Sequence, residues 1–214
     1  MSPEPSEETF RQRREAMVRL QIEARGVRDA RVLTAMRRVP RHPFVPAPLQ
    51  AEAYGDFPLP IGRGQTISQP YIVAFMAEAL RLREGERVLE IGSGCGYAAA
   101  VLAQLCREVW GLELEGALAE RARATLAELG FGNVHLAQGD GRMGWPEEAP
   151  FDAILLSCAA PEIPEPLWEQ LEIGGRALYP RGRAGEVQEL VLVTKTARGA
   201  REAALLPVRF VPLR

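Results

Sequence analysis

The chain has 214 residues, 47% of them hydrophobic and 25% charged, which suffices for one sizeable core and not for two full ones. A net charge of -2 and a pI near 5.9 argue against a nucleic-acid partner, because phosphate binding calls for a basic excess. No apolar run approaches the roughly 20 residues that cross a bilayer, and the polar, acidic Met1–Thr9 does not read as a signal peptide.

The first forty residues read as two helices. Phe10, Met17, Leu20 and Ala24 recur at near-helical spacing up to a stop at Gly26. Asp29 can cap a second helix that carries Val32, Leu33 and Met36 and ends before Pro40. Disorder is expected over the first ten residues. The stretch from Arg41 to Gln69 is dense in Pro and Gly, with aromatics at Phe44, Tyr54 and Phe57, and reads as a functional loop. A helix is expected from Tyr71 to Leu82.

Strands and helices then alternate. Strands are expected at Arg87–Ile91, Glu108–Leu112, Val134–Leu136, Phe151–Leu156, Arg176–Tyr179, Glu189–Thr194 and Leu205–Val211. Helices are expected at Tyr97–Cys106, over Leu118, Ala122, Thr125, Leu126 and Leu129 as far as Gly130, and at Pro166–Leu171. Such alternation predicts an α/β fold: a doubly wound, mostly parallel seven-stranded sheet, Rossmann-like, with an N-terminal helical extension and a ligand site at the carboxyl ends of the strands. The pattern does not set the order of the last two strands. We read residues 1–214 as one domain, with 1–70 supplying N-terminal helices and an active-site loop and 71–214 the cofactor-binding core.

The strongest local signal follows the first of these strands: Glu90-Ile91-Gly92-Ser93-Gly94-Cys95-Gly96-Tyr97. Glycines let the backbone turn sharply and approach a ligand, and the next helix offers free N–H groups. A dinucleotide site would need Gly or Ala where Tyr97 stands, which disfavours a nicotinamide oxidoreductase. The tighter Gly-x-Gly-x-Gly spacing is that of adenosylmethionine-binding domains. Glu113 ends the second strand, 21 residues after Gly92, where a carboxylate can accept from both ribose hydroxyls. Gly139-Asp140-Gly141 follows the third, where one acid can hold an adenine amino group. Each has a plain alternative: a tight turn, a solvated strand end, an Asp-Gly turn. Three such groups at three successive strand ends point together to a nucleoside-containing cofactor.

The second informative stretch runs from Pro58 through Ile61, Gln65, Thr66, Ile67 and Ser68 to Pro70. No Gly-x-Ser-x-Gly elbow surrounds Ser68, and histidines are scarce, so it does not read as a nucleophile. It can cap the helix beginning near Pro70 or, with free amides there, hold a carboxylate. His42 and His135 each stand alone, so no metal is expected. Cys95, Cys106 and Cys158 form no Cys-x-x-Cys pair and read as reduced thiols of a cytoplasmic protein. Lys195 is the sole lysine and Asn133 the sole asparagine, a bias that fits a thermophile and a GC-rich genome equally.

From about Arg19 to Leu213 the chain resembles the protein-L-isoaspartate (D-aspartate) O-methyltransferases. The blocks that carry the likeness are Pro43-Phe44-Val45-Pro46, Ala53-Tyr54, Leu59-Pro60-Ile61-Gly62, Gly64 to Pro70, Val88 to Tyr97, Gly139-Asp140-Gly141, Ala149 to Ile154, Gly174-Gly175-Arg176 and Phe210-Val211-Pro212-Leu213. The glycine turn is common to many methyltransferases; the Gly64–Pro70 block and the terminal Phe-Val-Pro-Leu are far more specific to this family.

The resemblance implies methyl transfer from S-adenosyl-L-methionine to the α-carboxylate of L-isoaspartyl residues in damaged proteins, and in some members to D-aspartyl side chains. S-adenosyl-L-homocysteine is the other product, and the ester leads to a succinimide. It implies that Ser68 is the active-site hydroxyl. It also implies cofactor contacts at Gly92, Ser93, Gly94, Cys95, Gly96, Glu113, Leu114, Asp140 and Gly141. Gln65 and Thr66 would serve both ligands, and Ile61, Ile67, Val211, Pro212 and Leu213 the peptide. The expected partners are isoaspartyl peptides and proteins, with no nucleic acid or membrane, and the expected state is a monomer. Two departures matter: Val73 stands where some relatives have a histidine near the cofactor, and some relatives continue beyond the Val-Pro-Leu block. The competing readings are a methyltransferase for a small molecule or RNA, and a binding module without turnover.

Overall fold

In the computed structural model, which describes residues 5–183 and 185–214, α1 (Glu7–Met17) starts at a Ser6 cap whose hydroxyl accepts from the Thr9 amide at 3.2 Å. The rod continues through a π turn (Val18–Ile22) and a 3₁₀ turn (Glu23–Arg25), and Gly26 stops it at φ 103°. The π turn interrupts the 3.6-residue period, so the buried face is Phe10, Met17, Val18 and Ile22. Leu20 is 61% exposed and Ala24 is also exposed, which corrects their expected place on that face. Order begins earlier than expected as well. Glu7–Phe10 are helical because the Phe10 ring stacks on His42 at 3.9 Å; Met1–Glu4 lie outside the described residues.

Asp29 caps α2 (Ala30–Arg38) as expected, accepting from the Arg31 amide at 2.8 Å, a contribution of about 1 kcal/mol. The stretch 41–69 is not a bare loop. It holds 3₁₀ turns at His42–Phe44 and Ala47–Glu52, then an antiparallel hairpin of β1 (Leu59–Gly62) and β2 (Gln65–Ile67). Strands this short, one of them containing Pro60 and Gly62, leave too little alternation to read. The next helix, α3 (Pro70–Leu80), has Gln69 at its N-cap and no side-chain cap, so Ser68 does not serve as one.

The main sheet is built from β3 (Arg87–Ile91), β4 (Glu108–Glu113), β5 (Val134–Gln138), β6 (Phe151–Leu156), β7 (Leu171–Arg181), β8 (Gln188–Thr196) and β9 (Gly199–Val208). Interleaved are α4 (Tyr97–Leu102), α5 (Gly116–Glu128) and α6 (Glu165–Gln170). Strand order is β5-β4-β3-β6-β7-β8-β9; the first five are mutually parallel, and β8 runs antiparallel to both neighbours. Strands β3 and β6 are buried almost throughout, as continuous apolar runs covered on both faces should be. One core layer packs residues of α1 to α5 against the sheet, and the second lies on the other face with Leu167 of α6.

The last two strands follow chain order to the sheet edge. There β9 begins six residues earlier than expected and releases the chain at Val208, before Val211. Its residues are nearly all exposed, so no apolar alternation marks it. The rare residues are structural: Lys195 donates to the Trp168 and Leu171 carbonyls at 2.6 and 2.7 Å, and Asn133 to those of Ala103 and Arg107.

One buried ion pair clamps the sheet to α3. Arg176 on β7 donates to both Glu86 oxygens at 3.0 and 2.6 Å and to the Leu80 carbonyl at 2.8 Å. Burial alone would raise the Glu86 pKa, but the Arg176 guanidinium and the Arg83 amide hold it below the usual range. Removing one partner strands the other charge, at a cost of about 3–5 kcal/mol. Arg176→Met should therefore lower the calorimetric Tm by on the order of 10 °C at pH 7. Because Glu86 is depressed in the fold, the pair stabilises above the unfolded carboxylate pKa and fades as pH falls through the folded one. The gap between wild type and variant should thus narrow in acid.

Candidate active site

The order of strands reverses between β3 and β6, and a crevice opens there at their carboxyl ends. The glycine turn leaves β3 with the Gly92 and Ser93 amides both donating to the Leu112 carbonyl, at 2.8 and 3.2 Å. Gly94 sits at φ 54° and Gly96 at φ 86°; a Cβ at these positions would come within 3.2 Å of Ile61 and 3.0 Å of Leu126. The turn is glycine-rich because it is pressed between the β1–β2 hairpin and α5. Buried Glu113 holds it from the β4 side, accepting from the Gly94 amide at 2.8 Å and the Glu115 amide at 2.9 Å. A carboxylate has about four acceptor sites, so each oxygen keeps one for a ligand.

Three cavities meet at this edge. The first is lined by Gln65, Thr66, Gly92, Gly94, Glu113, Leu114, Gly141, Ser157 and Cys158, with Val211, Pro212, Leu213 and Arg214 over its lip. The second is a cleft of about 430 Å³ bounded by Pro58, Thr66, Ser68, Gln69, Ile72, Ser157, Val187 and the segment 207–211. The third is a small inner chamber of about 40 Å³ between Ile67, Ser68, Glu90, Ser93 and Cys95. Thr66 and Ser157 line all three.

Most of the expected site residues therefore converge. Ser68 faces the cleft, Gln65 and Thr66 the crevice, and Ser93, Cys95 and Ile67 the chamber. Three do not line these spaces. Gly96 packs under α5, and Ile61 is buried behind Gly94. Asp140 turns to Arg142, whose guanidinium donates to it at 2.6 Å and holds its pKa down; its neighbour Gly141 lines the crevice instead.

The chain beyond β9 crosses the crevice as a strap. Ala159 donates to the Val211 carbonyl at 2.7 Å, Leu213 donates to that of Ala159 at 2.8 Å, and Arg214 reaches Glu115 at 2.7 Å.

Three residues at the site escaped the sequence reading. Arg41 is fully buried with no carboxylate partner among the described residues; it donates to the Ser68 and Ala53 carbonyls, both at 2.8 Å, and lies 4.9 Å from the Tyr97 ring. Burial works against its charge and lowers its pKa. Ser157 begins the turn after β6 and donates to Glu90 at 3.0 Å. Glu90 is fully buried and pushed up to about 7, chiefly by burial, against the Ser157 and Ser93 hydroxyls, with the Glu113 charge adding a further push. Ser157 and Glu90 were within reach of the strand-end rule that singled out Glu113. Arg41, inside a proline-rich stretch, carried no such signal.

Compared with known proteins, residues 12–214 match the family model for protein-L-isoaspartate(D-aspartate) O-methyltransferase. The chain belongs to that family. Protein-L-isoaspartate O-methyltransferase 2 of Anaeromyxobacter sp. (strain Fw109-5) is 65% identical over 212 residues, covering 99% of this chain and 87% of the relative. Protein-L-isoaspartate O-methyltransferase 1 of Rhodopseudomonas palustris (strain HaA2) is 57% identical over 206 residues, covering 96% and 84%.

Among solved structures, a protein-L-isoaspartate O-methyltransferase superposes with a TM-score of 0.84 at 32% identity; the match covers 93% of this chain and 65% of that longer one. The Plasmodium falciparum protein described as a beta-aspartate methyltransferase was solved with S-adenosyl-L-homocysteine. It gives 0.82 at 26% identity, covering 94% of this chain and 98% of that one. The seven-stranded sheet is thus the class I methyltransferase fold of the isoaspartate O-methyltransferases.

All three cysteines are buried and unpaired, and burial pushes Cys95 up to about 11 and Cys106 and Cys158 up to about 12. Thiolate is the reactive form. Ellman's reagent at pH 8 should therefore leave the native thiols unmodified and titrate three per chain in denaturant; fast native labelling of Cys158 would contradict its burial beside the crevice.

Proposed function

We propose that this chain methylates the α-carboxylate of L-isoaspartyl residues in aged proteins, as the first step of their repair through a succinimide. The observation that carries the reading is the junction at Thr66 and Ser157. There the strand-end crevice that Glu113 lines meets a cleft of about 430 Å³ that Ser68 lines. Residues 71–214 supply most of the cofactor side, and the acceptor side is shared between the 58–69 stretch and the segment 207–211, within one domain. Three buried, unpaired thiols support a cytoplasmic setting.

The residues present fit S-adenosylmethionine. Glu113, anchored by two amides, has acceptor capacity left for ribose hydroxyls, and Leu114, 41% exposed beside it, offers an apolar face to adenine. The Gly92–Gly96 turn would flank the methionine end, with Gln65 and Thr66 beside it from the hairpin and Gly141 from the turn after β5. Asp140 reaches the adenine edge only by giving up Arg142, an exposed pair of low value. Bound S-adenosylmethionine supplies an electrophilic methyl group on a sulfonium and leaves as S-adenosylhomocysteine.

The acceptor carboxylate is already anionic at neutral pH, so the site needs no strong base, and His42 and His135 are committed elsewhere, to stacking on Phe10 and Trp110. What the protein contributes is orientation and exclusion of water. Ser68 donates to the carboxylate, with its backbone fixed by Arg41. Ile67 backs it, Ile61 supports the glycine turn from behind, and the Val211–Leu213 strap bounds the peptide.

The test is transfer of labelled methyl to an isoaspartyl peptide and to its normal aspartyl twin. Base-labile label on the isoaspartyl peptide alone is expected; none on either, with S-adenosylhomocysteine still bound, overturns the reading. Ser68→Ala should lower turnover about 10- to 100-fold, the value of one hydrogen bond to a charged group, and leave S-adenosylhomocysteine affinity within threefold. Glu113→Ala should do the reverse, weakening that affinity by roughly tenfold or more in calorimetric titration.

A further inference from the structure

Ser157 belongs to neither set of residues above, yet among the described residues it and Thr66 alone touch crevice, cleft and chamber. Its position is rigid. The Ser157 amide donates to the Ile91 carbonyl at 2.8 Å, which locks the strand end of β6 to that of β3. While Glu90 is ionised the Ser157 hydroxyl proton is committed, because Oγ donates to Glu90 Oε1 at 3.0 Å. A hydroxyl has one hydrogen and two lone pairs, so what remains to Ser157 is acceptance alone. Ser68, which lines the same cleft, makes no side-chain hydrogen bond among the described residues, and its proton is free for a carboxylate.

Resting on the methyl-transfer reading, we infer that Ser157 is the specificity-determining residue for isoaspartate, accepting a hydrogen bond from the amide N–H next to the acceptor carboxylate while Ser68 donates to the carboxylate itself. The chemistry of the two isomers makes this a discriminating pair. In an L-isoaspartyl residue the free carboxylate and the amide nitrogen sit on the same carbon. In a normal aspartyl residue a methylene separates the free carboxylate from that carbon. A donor and an acceptor that line one cleft and together engage the shorter unit leave one of the two unpaired when the longer unit enters, and an unpaired group in a buried site is what rejects an analogue.

Glu90 is the positioning residue in this arrangement. While ionised it holds the Ser157 proton. Once protonated it can donate to Ser157 instead, which turns the serine from acceptor into donor toward the cleft. The groups around Glu90 are Glu113 on β4, Cys95 and Tyr97 on the glycine turn and α4, and Cys158 beyond β6. Ile67, Ser68 and Val73 close the chamber without charge, and a bound sulfonium adds a cation that favours ionised Glu90. Recognition should hold above the Glu90 transition in the complex and fail as pH falls through it.

The experiment is a cycle of two enzymes and two substrates. The substrates are an isoaspartyl peptide and its ester analogue, in which oxygen replaces that single N–H. The wild type should lose about five- to tenfold in kcat/KM on the ester. Ser157→Ala should lose a similar factor on the amide peptide and almost nothing more on the ester, and Ser157→Thr, which keeps the hydroxyl, should restore the discrimination. The wild-type preference for amide over ester should shrink in acid. Equal ester penalties in wild type and Ser157→Ala overturn the inference. So does wild type that turns over ester and amide alike, a result that stands even if the alanine variant does not fold. Failure here is distinct from failure of the methyl-transfer reading, in which wild type would methylate no isoaspartyl peptide at all.

Discussion

The bond from the Gly94 amide to the Glu113 carboxylate, 2.8 Å across two adjacent strand ends, is the contact on which the rest of the site depends. A side chain at Gly94 would press on Ile61, and one at Gly96 on Leu126, so the turn has no slack on either face. Pinning it with a buried carboxylate fixes the floor of the crevice. It also fixes where the next helix starts. The hairpin that carries Gln65 and Thr66 can then pack over the turn, and through it the cofactor crevice reaches the acceptor cleft.

Two buried charges without ionic partners flank this floor. Arg41 stands behind Ser68, Ala53 and Tyr97, and Glu90 lies beneath Ser93 and Ser157. Burying such groups costs stability unless hydrogen bonds compensate. Each is compensated only in part, and one atom of each, Arg41 Nη1 and Glu90 Oε2, has no partner among the described residues. Arg41 spends its charge on holding a loop that has no regular secondary structure of its own at Ser68. Glu90 spends its charge on orienting one serine hydroxyl. Both place the reacting groups, in keeping with a reaction whose acceptor is already an anion and asks mainly for alignment.

The alternation of buried strands and helices made the sheet legible, and with it the site at the strand ends. Strands β3 and β6 have their expected limits because long apolar runs bounded by polar turns admit few other readings. What stayed hidden had physical causes. The π turn after Met17 shifts the phase of the first helix. The β1–β2 hairpin alternates over too few residues to stand out, and the edge strand β9 buries too little to show a pattern. At the site, Glu113 and the glycine turn could be read from spacing alone. Arg41 could not, since its partners are carbonyls distant in sequence, and the pairing of Asp140 with Arg142 is a side-chain choice that no spacing rule foretells.

The most direct test of the account is a crystal structure of the protein with S-adenosylhomocysteine and an isoaspartyl peptide bound together. The account predicts ribose hydroxyls on Glu113, the peptide in the cleft between Ser68 and Val187, and the α-carboxylate against Ser68, beside the Thr66–Ser157 junction and facing the cofactor sulfur. A peptide seated elsewhere, or a carboxylate turned away from that junction, would contradict it.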